Sequence, residues 1–230
     1  MTSEPSNPDL MPALGRLVRG LTGLFWGLPI ALVISVQTVR MHWLDPLGII
    51  PPLLANGLLF FTLGMLRPFQ TQERVWQRTL DRARFLTIVC TGLSPFLFWF
   101  KGMPHILHYQ VAVGLMSLAG VLLLIGVNDV LSRLAAMLPD ETLRLEARWF
   151  TSLNTGLLVA LLWCLAVVPI LLRLPTPSAW IASLVPLLFR IGAVLGLLLV
   201  LLPLSLTMAL LWKIKEAILD SVFHRHPAQP

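Results

Sequence analysis

Long uncharged apolar runs, separated by short stretches where the charges collect, set the pattern of this chain. The first is Gly20 to Val39, twenty residues without an ionisable side chain. At about 1.5 Å per residue it is long enough for a hydrocarbon layer of about 30 Å. Similar runs follow at residues 47–66, 85–100, 109–127, 151–172 and 191–211. None of the six contains Asp, Glu, Lys, Arg or His. The pattern predicts an all-α fold, a polytopic integral membrane bundle of six transmembrane helices. Residues 16–223 form its single domain, between flexible tails at 1–15 and 224–230. The opening residues are polar and proline-bearing, and the first run is too long for the apolar part of a cleavable signal, so the first helix is expected to persist.

The region from Ala179 to Trp212 resists a simple division. A helix of that length would measure about 51 Å, too much for one upright span. The expected arrangement sets residues 179–189 along the interface and starts the sixth span near Ile191. Arg190 then reaches the headgroups from the span's edge.

The polar stretches fix an orientation. Arg67 to Arg84 holds five arginines, and short loops rich in Lys and Arg stay on the cytoplasmic side. Six spans with both termini inside place thirteen of the seventeen Lys and Arg residues on that side, leaving Arg40, Lys101, Arg173 and Arg190 outside. On a helical wheel Arg74, Arg78 and Arg82 form one ridge, with Phe69, Trp76, Leu80 and Ala83 opposite. This predicts an amphipathic helix along the inner headgroup layer, in which Arg74, Trp76, Arg78 and Arg82 contact anionic lipid or a partner. The plainer reading is a loop that only sets orientation. Residues 130–148 read as two further short amphipathic cytoplasmic helices divided by Pro139, with Asp140 and Glu141 at a helix start, where negative charge is favoured.

Composition agrees with this layout. Hydrophobic residues make up 57% of the chain and charged residues 12%, with a mean hydropathy of +0.81; soluble domains carry about twice that share of charge. A net charge of +6 would raise the question of nucleic acid in a soluble protein. Here the basic residues mark the ends of apolar runs, and no nucleic-acid partner is expected. Cys90 and Cys164 sit inside apolar runs without metal-ligand spacing and read as packing residues.

Candidate chemistry is sparse. Proton relays and ion-coupled carriers need ionisable groups at depth, and the runs have none. Nucleotide-binding and hydrolase motifs are absent. His42, His105 and His108 share the outer side and form a candidate metal or haem site, weighed against ordinary interface histidines. Asn56 is the deepest amide; it either bonds to a neighbouring helix or lines a solute path. Gly23 with Gly27, and Gly192 with Gly196, have the GxxxG spacing that lets two helix backbones approach.

These features lead to a non-catalytic plasma-membrane protein without a cofactor. Its first expected role is a multi-pass subunit that scaffolds or anchors a larger assembly of other membrane subunits in the lipid bilayer. The alternative is a small channel or carrier for a neutral or apolar solute, motivated by Pro29, Pro51, Pro52, Pro95, Pro169 and Pro203 in the runs. A haem- or quinone-handling subunit is the third.

Overall fold

The computed structural model describes residues 10–70, 72–138, 140–172 and 179–223, with side-chain surroundings left out for 10–11, 167–195 and beyond 220. Among the described residues the protein is helical throughout: α1 (Leu10–Arg40), α2 (Ile50–Leu66), α3 (Arg74–Leu93), α4 (Pro95–Gly102), α5 (Leu107–Met137), α6 (Glu141–Leu172) and α7 (Ala179–Phe223). Six helical stretches, with α3 and α4 counted as one, are long and apolar enough to cross a membrane.

Local chemistry explains most boundaries. Pro51 and Pro52 stand at the first positions of α2, where a missing N–H costs nothing because that donor has no partner in any helix. They start the helix and do not open it. Pro95 acts differently. It cannot donate to the preceding turn, so the third span divides at Ser94 into α3 and α4, and the Ser94 hydroxyl donates back to the Thr91 carbonyl at 2.8 Å. Asp140 begins α6 by accepting the Thr142 and Leu143 N–H groups at 2.9 and 3.2 Å, the work of an N-capping carboxylate. Gly48, at φ +57, ends the 3-10 turn Asp45–Leu47 and lets the chain reverse into α2.

Four expectations change. Leu10 to Gly15 are helical, so the amino-terminal tail does not reach residue 15; residues 1–9 and 224–230 lie outside the described residues. The basic stretch is the beginning of α3 and continues unbroken into the third span, so it is no separate helix lying along a surface. The two short helices expected in 130–148 are the ends of α5 and α6, each more than thirty residues long. α7 runs 45 residues without a break, so no distinct interfacial helix precedes Ile191. One cause underlies the last three: a helix does not stop where the hydrocarbon ends unless a capping residue or proline stops it.

The helices form a ring in chain order. α1 packs on α2, α2 on α3, α3 on α5, α5 on α6 and α6 on α7, and α7 returns against α1. α4 bridges α1 and α5. Successive helices reverse direction, so one end of the ring carries Arg40, Asp45 and Lys101, and the other carries Leu17, Arg84 and Lys213.

Packing among the described residues is densest at one end. Toward Lys213 the core is dense: Leu17, Leu66, Trp76, Leu80, Leu134 and Ile214 are all completely buried. The α1–α2 seam in this half is as close as backbones allow. A Cβ added at Gly20 or Gly23 would overlap Leu66 or Thr62, and one at Gly27 would lie 2.9 Å from Leu59. The ring's exterior is apolar, with Leu54, Phe61, Phe85, Trp163 and Leu197 each at least 60% exposed. In α6 only 17% of the most apolar window is buried. A protein in water would bury such faces; in hydrocarbon they cost nothing.

Candidate functional site

Toward the Asp45 end the ring is hollow. A partly open cavity of about 460 Å³ lies between the helices, and each of α1 to α7 contributes to its wall. From α1 come Leu28, Ala31, Leu32, Ser35, Val36 and Val39, a run of three- and four-residue steps that is one face of a helix. Arg40 continues the same face at the helix end. Leu28 to Arg40 spans about 18 Å, so the cavity is long relative to its volume. α5 supplies the opposite wall with Met116, Gly120 and Leu124, and Leu158, Leu161 and Leu165 close the side on α6.

The polar side chains in this wall are largely spent on their own helices. Ser35 donates to the Ala31 carbonyl at 2.7 Å and Ser117 to the Val113 carbonyl at 2.9 Å. Asn56 donates to the Pro52 carbonyl at 2.8 Å. The hydroxyl and amide hydrogens therefore point along the wall, and the surface met by a ligand is hydrocarbon. Of the two readings of Asn56, a bond to a neighbouring helix or a place in a solute path, the structure puts it in the cavity lining without a bond to another helix among the described residues. It bonds within α2 instead, and its amide oxygen has no hydrogen-bond partner among the described residues. Arg40 is the one cation in the described lining, and it forms no hydrogen bond or ion pair with the described residues.

The neighbouring cation is committed elsewhere. Lys101, largely buried at the end of α4, binds the Asp45 carboxylate and the Met41 carbonyl. The same carboxylate takes the His42 ring at 3.0 Å. Lys101 first and His42 second hold the Asp45 carboxyl below the ordinary carboxylate range. This cluster ties the α1–α2 turn to α4 beside the cavity mouth.

A second polar constellation lies deeper, where α5, α6 and α7 meet. Asn128 and Asn154 direct their amide nitrogens at the Thr207 hydroxyl oxygen, at 3.2 and 2.9 Å, and the Thr207 hydroxyl donates to the Pro203 carbonyl at 2.8 Å. All three residues are at most 1% exposed. The Asn154 amide oxygen is buried without a partner. Asn154 and Thr207 are visible in the sequence as isolated polar residues in apolar runs, but nothing local announces that they meet.

The other sequence candidates fall as follows. His42, His105 and His108 do not converge: His42 turns to Asp45, His108 packs on Tyr109 with ring centres 4.1 Å apart, and His105 is exposed. Among the described residues no group of three His, Cys, Asp or Glu side chains is placed to hold a metal ion. Arg74, Arg78 and Arg82 are exposed, while Trp76 on the same helix is completely buried against Phe69 and the core. Trp76 is thus a core packing residue and not available to lipid or a partner. Gly23 and Gly27 stand in the α1–α2 seam. Gly196 faces open space, with no atom within 4 Å of an added Cβ, and Gly192 lies outside the residues whose surroundings are described. Comparison of the chain with protein-family models, curated proteins and solved structures finds no match.

Proposed function

We propose that the protein is a multi-pass plasma-membrane protein with both termini on the inner side, and that it binds an apolar or amphiphilic solute in the hollow half of its ring as a carrier or holder. The observation that carries this reading is the cavity, to which every helix contributes and whose polar atoms are mostly satisfied from within. A cavity of this size lies within the range of small-molecule sites, about 300–1,000 Å³. Each methylene moved from water into such a site contributes roughly 0.8 kcal/mol. The described wall holds no Asp, Glu or His, and the proposed role is a non-catalytic one without a cofactor. Orientation is read from the basic residues grouped at the Lys213 end, twelve among the described residues.

Photolabelling tests it. A diazirine-bearing alkane in native membranes should form adducts inside the ring, on peptides containing Met116 or Cys90. Those adducts should disappear in Ala31→Phe, which fills the cavity. Adducts confined to exterior positions such as Trp163 and Leu198 would remove the proposal.

A second reading, the scaffold subunit, is favoured by one observation. Leu145 and Trp149 are 61% and 71% exposed on the charged first turns of α6, beside Arg144 and Arg148, where the proposed topology offers no hydrocarbon to cover them. Other membrane subunits would cover such a stripe, and the exposed Arg74, Arg78 and Arg82 would serve anionic lipid at the same face. Stoichiometric co-purification from native membranes, lost in Trp149→Ser, supports this reading. A wild-type protein that purifies alone discards it.

A further inference from the structure

We infer that the occupant of the cavity is a single-chain anionic amphiphile, its alkyl chain inside the ring and its carboxylate or phosphate on Arg40. The inference rests on the proposed cavity function and adds the head group. Three observations carry it. The wall is long and hydrocarbon-like, with Ser35, Ser117 and Asn56 donating to their own helices, which suits a flexible chain and offers little to a compact polar solute. Arg40 belongs to the lining, is exposed, and has no acceptor among the described residues. A guanidinium presents paired donors that match a carboxylate or a phosphate.

The third observation concerns the surrounding charges. The Asp45 carboxylate, in the turn that follows Arg40, is already held by Lys101 and His42, so it neither neutralises Arg40 nor repels an incoming anion with a free charge. Among the described lining residues the positive charge at the mouth rests on Arg40. A neutral chain would leave that donor fork unused, and a cationic amphiphile would be repelled by it.

The test uses full-length protein in phosphatidylcholine nanodiscs and stearate carrying a nitroxide near its chain terminus, read by electron paramagnetic resonance. Wild-type protein should hold a motionally restricted fraction of the stearate probe. Arg40→Gln should weaken that binding about tenfold, Arg40→Lys should restore part of it, and the neutral methyl ester of the same probe should bind the wild type and Arg40→Gln alike. A spin-labelled alkyl phosphate in place of the stearate decides which anion is held more tightly; binding of either that depends on Arg40 supports the inference. Equal binding of acid and ester, unaffected by Arg40→Gln yet abolished by Ala31→Phe, overturns the head-group assignment and leaves the cavity reading standing. Restriction that persists in Ala31→Phe, or none in the wild type, overturns both.

Discussion

Single side chains in this protein matter most where two helices touch without room to spare. Gly23 is the sharpest case: any Cβ there runs into Thr62 on α2. Gly23→Ala should cost about 1–3 kcal/mol, the usual penalty for overpacking a filled contact, read as an earlier midpoint in mixed-micelle unfolding. Gly114→Ala, with open space around it, should cost nothing. Thr207 is the polar counterpart. Its oxygen receives two buried amides; Thr207→Val leaves the Asn154 amide without its acceptor and removes one of the two acceptors of Asn128, which keeps the Leu124 carbonyl, for a loss of about 1–2 kcal/mol by the same measurement. Ser205, exposed and bonded only to its own helix at the Leu202 carbonyl, is the control: Ser205→Ala should be neutral. How much of this the sequence shows depends on whether the interaction is local. The glycine spacing of α1 is a property of one helix face and can be read directly, yet the same spacing at Gly192 and Gly196 finds no neighbour at Gly196, because a smooth face permits a close approach without supplying the other helix. Asn56, Asn128 and Asn154 look alike in sequence. Asn56 and Asn128 both bond back to their own helices, at Pro52 and Leu124; only the third dimension shows that Asn128 and Asn154 also share Thr207.

Elements in this chain are bounded by caps and prolines more than by hydropathy. Apolar runs locate all six helices that are long and apolar enough to cross a membrane, since the need for about twenty uncharged residues is written along the chain. They misplace the ends because Asp140 and Pro95 act on backbone donors and are indifferent to where lipid stops. The wheel of α3 assigns its faces as found, Arg74, Arg78 and Arg82 outside, Trp76, Leu80 and Ala83 buried. It cannot say that α5, and not a headgroup layer, covers the apolar side. The α1–α2 turn offers a test at this scale. Asp45 has a lowered carboxyl pKa, held there by Lys101 and then His42, so its stabilising effect is complete above the ordinary carboxylate value of about 4 and fades as pH falls through the lowered value. Lys101→Met removes the larger cause at every pH. Wild type should therefore exceed Lys101→Met in thermal stability at pH 7, and the gap should narrow toward pH 3. A gap unchanged across that interval would mean that Lys101 acts by packing and not through Asp45.

The molecule as a whole is a ring that is solid at its basic end and hollow at the other, and the two halves answer to different demands. Dense packing around Trp76, Leu134 and Ile214 holds the helices together where hydrophobic exclusion gives no help, since lipid is as apolar as leucine. The hollow half forgoes that contact energy, which the solid half must supply. Orientation decides which compartment the cavity mouth faces, and it can be tested without knowing any ligand. Arg78 and His105 are both exposed and lie at opposite ends of the ring. In a background with Cys90→Ala and Cys164→Ala, a membrane-impermeant maleimide should label His105→Cys in intact cells and reach Arg78→Cys only after the cells are opened. The argument is one of charge: five arginines between Arg67 and Arg84 resist translocation, whereas toward the opposite end the described helices carry Arg40, Lys101 and, in the first part of α7, Arg190, and Lys101 is paired with Asp45. Labelling of position 78 from outside would invert the protein and turn the cavity mouth, with Arg40, toward the cell interior. Labelling of both positions in intact cells would mean that the ring does not cross the bilayer as six spans.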